Sequence, residues 1–409
     1  MSAWRWISAS CLFLAGLPAT AGELEFSGFG TLSAYRGDDA TAAVRPRRFV
    51  VESSRNGDWR WDGDSVLGAQ VRWLINDSVQ AVWQLQAADE VDRRWQPRTE
   101  WLYLGWTMSP AWSLRVGRQP QPLQQHSETR SVGLARVTVR PVSTVYELIS
   151  NTPVDGATLS WNGDVAGGSL LVDLAWGRLD LRTNSGRAVG RSLYSLAARW
   201  QVGPATLRAG FSRGGLDLLN SPLEALGASL RQPGGPCLNC AAVFDDRLKT
   251  QGIVVDRLTV GQTLAWGPWT LDMEVLRRNS NSVVTPSADG WYALLSHRWG
   301  ALTPFAAVGG TRYREAPLGL QVAAGTPPNA AGGITALDSR LQARHDRQIA
   351  LLGLRWDVHE RAALKLQAEH WRSTRDTRTP RSDEIVLLEG SAGWDGRVNL
   401  LSVSLDFVF

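Results

Sequence analysis

Leu401-Ser402-Val403-Ser404-Leu405-Asp406-Phe407-Val408-Phe409, the last nine residues of the chain, decide the fold. In an extended chain Leu401, Val403, Leu405, Phe407 and Phe409 fall on one face, and Ser402, Ser404 and Asp406 on the other. Successive side chains of a strand point to opposite faces, so this strand is half apolar and half polar, as a wall between lipid and water requires. An amphipathic strand of a soluble sandwich has the same pattern, and the rest of the chain must choose between them.

The opposite end reads as a secretory signal. Arg5 precedes an apolar run with Ile7, Leu12, Phe13, Leu14 and Leu17, and Ala19-Thr20-Ala21 supplies the small residues a signal peptidase needs, which predicts loss of residues 1–21 and a mature start at Gly22. Cys11 comes before the apolar core is complete, which disfavours a lipid anchor there. The 409 residues are only 44% hydrophobic and nowhere supply the roughly eighteen consecutive apolar residues of a helical span. Export then leaves periplasm, secretion or a barrel.

Twenty Trp and forty Gly against three Cys and three Met are unusual for a soluble enzyme, and the Trp residues sit beside tight turns. Trp73 precedes Asn76-Asp77, Trp106 and Trp112 flank Ser109-Pro110, Trp266 and Trp269 bracket Gly267-Pro268, and Trp200, Trp299 and Trp356 lie just before further turns. An indole is stable at headgroup level, with its ring half buried and its N–H wet, so a rim of Trp is expected of a membrane barrel.

The turns also divide the chain. Short turns near 76, 109, 164, 203, 267, 300 and 359 alternate with longer polar connections near 37–62, 90–96, 119–143, 181–190, 215–250, 280–288, 315–344 and 375–392. Seven turns and eight loops join sixteen strands, with both chain ends on the short-turn side. The expectation is an all-β, antiparallel transmembrane barrel over 22–409, with short turns facing the periplasm and long loops facing outside. Facing follows from alternation: Leu67, Val71, Trp73, Val79, Trp83, Leu258, Val260, Val275, Leu352 and Trp356 point to lipid. Gln70, Arg72, Gln80, Gln84, Gln86, Asp272, Glu274 and Arg355 point to a lumen expected to be filled with water.

With Glu25-Phe26-Ser27-Gly28-Phe29-Gly30-Thr31, Trp101-Leu102-Tyr103-Leu104-Gly105, Leu114-Arg115-Val116-Gly117-Arg118-Gln119 and the terminal Phe409, the mature length resembles the Gram-negative porin superfamily. Phe409 resembles that group's outer-membrane insertion signal. The resemblance implies a homotrimer of sixteen-stranded barrels in the bacterial outer membrane. Each would pass small hydrophilic solutes through its own channel, narrowed by a third loop folded into the lumen.

That loop, at about 119–143, carries His126, Glu128, Arg130, Arg136 and Arg140, so arginine outnumbers carboxylate. The expected constriction combines Glu128, Arg130, Arg136, Arg140 and Glu147 with inward Arg72, Arg115, Arg208, Arg355 and Lys365, and favours anions modestly. The Pro-Glu-Phe-Gly-Gly sequence common in porin third loops is absent. The same arginines serve equally as partners of carboxylates that pin loops. A specific channel for an anionic or sugar-like solute is the alternative, to which Arg191, Arg199, Arg208 and Arg213 would contribute a cluster.

An enzymatic barrel needs Ser, His and a carboxylate gathered on its rim, whereas His126, His297, His345, His359 and His370 are scattered. The first strand starts too soon after residue 21 for a plug domain. Cys237 and Cys240 lie in the longest loop with no second pair, which favours a local disulfide over a metal or redox site; no cofactor is expected. Net charge is +4, or +3 once Arg5 is removed, too small to point to nucleic acid. Lipid, lipopolysaccharide phosphates paired with loop arginines, and the outer-membrane assembly machinery are the expected partners.

Overall fold

The computed structural model describes residues 22–409, except 41, 48–49, 51–52, 55, 91–93, 149–152, 184–185, 221–223, 225–226, 229–234, 315–317, 343–345, 374–385 and 388–394. The proposed signal segment therefore lies outside the described residues. Sixteen strands of eight residues or more follow one another. The first five are β1 (Glu23–Gly37), β2 (Val66–Leu74), β3 (Val79–Ala88), β4 (Arg98–Thr107) and β5 (Trp112–Gln119). The tallest wall follows in β6 (Val154–Val165), β7 (Gly168–Thr183), β8 (Gly186–Val202) and β9 (Ala205–Leu219). The remainder are β10 (Ile253–Trp266), β11 (Trp269–Ser280), β12 (Ala288–His297), β13 (Leu302–Tyr313), β14 (Arg347–His359), β15 (Ala362–Ser373) and β16 (Arg397–Val408).

Every neighbour pairs antiparallel in sequence order, and β1 closes the ring. Its first part pairs with β2 (Glu23 opposite Leu74) and its second with β16 (Phe29 opposite Val408). Closure leaves no sheet edge, which a lipid environment demands because an unpaired backbone group has no water to turn to. Phe409 locks the seam: its N–H donates to the Gly28 carbonyl at 3.0 Å and Gly28 N–H returns a bond at 2.8 Å, while its ring lies flat on Gly28 where any Cβ would overlap it.

The outer face is apolar as expected. Trp73, Trp106, Trp112, Trp266, Trp269, Trp299 and Trp356 are exposed near the short turns, Trp83, Trp176 and Trp291 stand further along the strands, and Leu102, Leu104, Val260, Val275, Leu352 and Leu366 add to the same outer surface. Two connections differ from the expected bounds. The loop expected at 181–190 is strand almost to its tip, since Gly186 pairs with Thr183 and Arg187 bridges to Asp180, and no Pro interrupts the pairing there. The third loop runs from 120 to 153, because Val142-Ser143-Thr144-Val145-Tyr146 is not an incoming strand but the short helix α1 (Ser143–Tyr146), buried inside the barrel.

The lumen is not lined by water all round. The inner face of β12–β16 carries Tyr292, Leu294, Phe305, Ala307, Ile349, Leu351, Trp371 and Leu400, all buried and joined in one cluster with Val142, Val145, Tyr146 and Leu148 of the third loop. One half of the bore is thus a packed core, which the expectation of a polar inner face had missed.

Outside the barrel, Cys237 and Cys240 form a disulfide at the start of α2 (Cys240–Asp246). Leu238 N–H donates to the Gln321 carbonyl and Ala323 N–H to the Pro236 carbonyl, each at 2.9 Å, so the fifth loop is clasped to the seventh, which continues into α3 (Pro328–Gln342). Cys240, Val243, Phe244, Leu248, Val283 and Leu318 form a small core beneath the clasp.

Candidate functional site: the third loop and the lumen wall

The third loop leaves β5, crosses the bore and is pinned to the far wall. Near its start the Thr259 hydroxyl on β10 donates to the Leu123 carbonyl at 2.9 Å, and Gln125 donates to Asp272 on β11 at 3.0 Å. At the far side Lys365 donates to the Gly133 carbonyl at 2.8 Å and to the Thr138 carbonyl at 3.1 Å, and pairs with Asp406 at 2.9 Å. Arg355 donates to the Leu134 and Arg136 carbonyls at 2.8 and 2.9 Å, and Val139 N–H donates to Gln367 at 2.9 Å. Gly133 sits so close to Asp406 and Thr31 that a Cβ there would overlap both. Behind it, α1 closes on β12 and β13 through Thr144, whose hydroxyl donates to the Trp291 carbonyl and whose carbonyl accepts from Thr311, both at 2.9 Å.

Arg140 forms the deepest anchor. It reaches Asp64 at 2.7 Å, Ser402 at 2.6 Å and Glu369, and all three charged side chains are within 5% of full burial. Burial disfavours its charge, but Asp64 and Glu369 more than offset that and hold the guanidinium above the ordinary arginine pKa. Glu369 is itself oriented by donors from Gln367 at 2.8 Å and the Trp371 indole at 3.0 Å.

Three residues expected along the constriction serve as anchors of the loop in this geometry. Arg140 and Lys365 have no water-facing surface to offer, and Arg355 spends its donors on loop carbonyls and on Asp357 at 2.7 Å. Arg136 is likewise turned onto the Val139 and Arg130 carbonyls at 3.0 and 2.7 Å. Arg130 lies over the Tyr146 ring at 5.6 Å and pairs with Glu147 at 3.5 Å, within the loop. His126 is held below its ordinary pKa by burial.

The opposite wall keeps its charges wet. Arg72 on β2 meets Glu25 at 3.1 Å and Gln80 at 2.6 Å with 43% of its side chain exposed. Arg115 on β5 meets loop residue Glu128 at 3.1 Å, the one contact of a loop carboxylate with a wall arginine among the described residues of this group. Arg199 on β8 stands directly across from Arg208 on β9. Both share the inward face with buried Ser195 and Ser212, and neither has an ion-pair partner among the described residues; the Arg208 Nε makes no hydrogen bond. Arg191 and Arg213, by contrast, are neutralised by Asp217 at 3.0 Å and Asp256 at 3.4 Å. The Arg199 and Arg208 pairing was legible once the short turn at 203–204 was placed, since the two residues are nearly equidistant from it.

No protein-family model and no characterised protein matches the sequence. Solved structures do match by fold. The outer membrane channel DcaP of Acinetobacter baumannii superposes with a TM-score of 0.56 at 12% identity, over 97% of this chain and 100% of that one. An anion-selective porin from Comamonas acidovorans gives 0.54 at 12% identity, over 95% and 100%. OmpT, an outer membrane protein of Vibrio cholerae in its trimer form, gives 0.53 at 11% identity, over 95% and 100%. The chain shares the fold of these structures, a closed, antiparallel, sixteen-stranded β-barrel.

Proposed function

We propose that the mature chain, freed of residues 1–21, forms a water-filled channel for passive diffusion of small hydrophilic solutes and ions, with a modest preference for anions. Three copies assemble as a homotrimer, inserted by the outer-membrane assembly machinery through the Phe409 signal and set among lipid and lipopolysaccharide. The carrying observation is the unpaired, lumen-facing couple Arg199 and Arg208. Like charges held opposite one another are unfavourable unless an anion or water accommodates them. With Arg140, Arg355 and Lys365 occupied in pinning the third loop and Arg115 paired with Glu128, this couple sets the sign of the potential in the open part of the bore. A low-dielectric lumen screens such an excess less than open solution does, so it outweighs a near-neutral total charge.

No enzymatic role is part of this reading. His297 packs on Trp269, His359 accepts from Arg361 N–H, and His370 bonds Asn399; none of the described histidines bonds a serine. The test is single-channel conductance in planar bilayers with the reversal potential in a KCl gradient. Discrete steps with a reversal potential on the chloride side are expected. A channel selective for potassium would remove the anion preference, and the absence of conductance would remove the channel itself.

A further inference from the structure

We propose that Gln125 of the third loop is a specificity-determining residue: its amide stands in the lane between Arg208 and Glu274 on the inner wall and keeps those two charges from pairing.

The lane is set by strand register. Arg208 on β9 stands across from Gly261 on β10, and Gly261 stands across from Glu274 on β11, so all three face the bore in one row. Two strand spacings, about 10 Å, separate the Arg208 and Glu274 backbones, a gap that a long arginine and a glutamate bridge when nothing lies between them. Gly261 contributes no side chain there. What fills its place is Gln125: a Cβ built on Gly261 would come within 2.9 Å of the Gln125 Oε1, and its next neighbours, the Met273 carbonyl and the Glu274 Cγ, lie at 3.5 and 3.6 Å.

The bonds of Gln125 run to β10 and β11 and leave Arg208 alone. Its N–H donates to Glu274 at 3.3 Å, and its Nε2 donates to Asp272 at 3.0 Å and to Thr263. A carboxylate only accepts, so the amide nitrogen belongs on Asp272 and the amide oxygen is left facing the lane. That oxygen is buried without a hydrogen bond, and so is the Arg208 Nε beside it. Glu274 is 2% exposed, accepts a further bond from the Tyr292 hydroxyl at 3.4 Å, and has no ion-pair partner among the described residues.

A buried carboxylate and a half-buried guanidinium therefore stand one glycine apart, each without a counter-charge. An unpaired buried charge is costly, so the two join whenever the lane is empty. Joining them takes Arg208 out of its couple with Arg199 and leaves the open wall with one free cation of that couple in place of two. The start of the third loop is thus more than an anchor. Its position over Gly261 decides whether Arg208 acts on a passing ion or on Glu274.

This inference rests on the reading of Arg199 and Arg208 as the source of the anion preference, and exchanges that alter no charge test it. Reversal potentials in a KCl gradient are measured on the mature channel and its variants in planar bilayers. Gln125→Ala empties the lane and should lower the chloride-to-potassium permeability ratio about twofold or more. Adding Gly261→Val to Gln125→Ala refills the lane from the strand side and should restore the parent ratio. Glu274→Gln should raise the ratio more in the Gln125→Ala background than in the parent, the coupling a double-mutant cycle measures. Folding of each variant is judged by heat-modifiable migration; Gln125→Ser takes the place of Gln125→Ala should the latter not fold. A ratio unchanged in the folded Gln125 variant overturns the proposal. So does a lowered ratio that Gly261→Val fails to restore, which would mean that the loop had only lost an anchor. A parent channel that prefers potassium, with the same shift and rescue in the variants, overturns the anion reading alone.

Discussion

Two halves of one bore are built from strands with the same outward pattern and opposite inner faces. On β12–β16 the inner face is apolar above and polar below, and the third loop lies against it with its carbonyls and Arg140 satisfied by Lys365, Arg355, Asp64 and Glu369. On β2–β5 and β8–β9 the inner face keeps Arg72, Arg115, Arg199 and Arg208, of which the last two lack a counter-charge among the described residues. The difference teaches that an inward arginine in such a barrel has two roles, and that the supply of nearby carboxylates and loop carbonyls decides between them. Cations that find loop carbonyls or buried carboxylates become fasteners; Arg199 and Arg208, which find none, supply the field of the proposed channel.

The comparison breaks most visibly at the fastened side. Replacing Arg140 by Ala leaves Glu369 buried without a counter-charge and Asp64 with only Arg47 at 3.8 Å, a loss of about 3–5 kcal/mol. The third loop should detach, seen as new proteolytic cleavage between 120 and 153 and as larger, noisier single-channel steps. Unchanged cleavage and conductance would mean that the anchor is dispensable.

The seam on the outside of that same half comes next. Phe409→Ser removes the ring that covers Gly28, and Gly28→Val drives a side chain into it. Both should lower outer-membrane levels and leave unfolded chain in the periplasm, measured by fractionation and heat-modifiable migration. Equal levels for Gly28→Val would separate the insertion signal from the packing of the seam.

On the wet side the effect is on selectivity, not stability. Arg208→Glu should move the reversal potential toward potassium, with the permeability ratio changing roughly fivefold for about 1 kcal/mol of altered potential. Arg136→Glu, whose parent side chain is turned onto loop carbonyls, should shift selectivity less and destabilise the loop instead. An equal or larger selectivity shift from Arg136 would place the field on the loop and not on the wall.

The smallest effect lies outside both halves. Cys237→Ser opens a very short ring, costing about 2 kcal/mol of local order in the clasp between the fifth and seventh loops. Barrel melting and ion selectivity should stay as they are, while protease sensitivity near 237 rises.

The barrel itself was written in the chain because its determinants are local. Alternation at 401–409, indoles beside Gly267-Pro268 and Ser109-Pro110, and the count of seven turns each need only neighbouring residues, since lipid acts on every strand in the same way. One further clue was present and unread: Ile349-Ala350-Leu351-Leu352-Gly353-Leu354 is apolar on both faces, the mark of a strand buried on both sides. Which arginine became a fastener and which stayed free depended on partners far away in sequence, such as Asp64 and Glu369 around Arg140, or Asp406 beside Lys365. Alternation places a side chain inside the barrel; only closure of the ring and the path of the third loop determine what stands opposite it there.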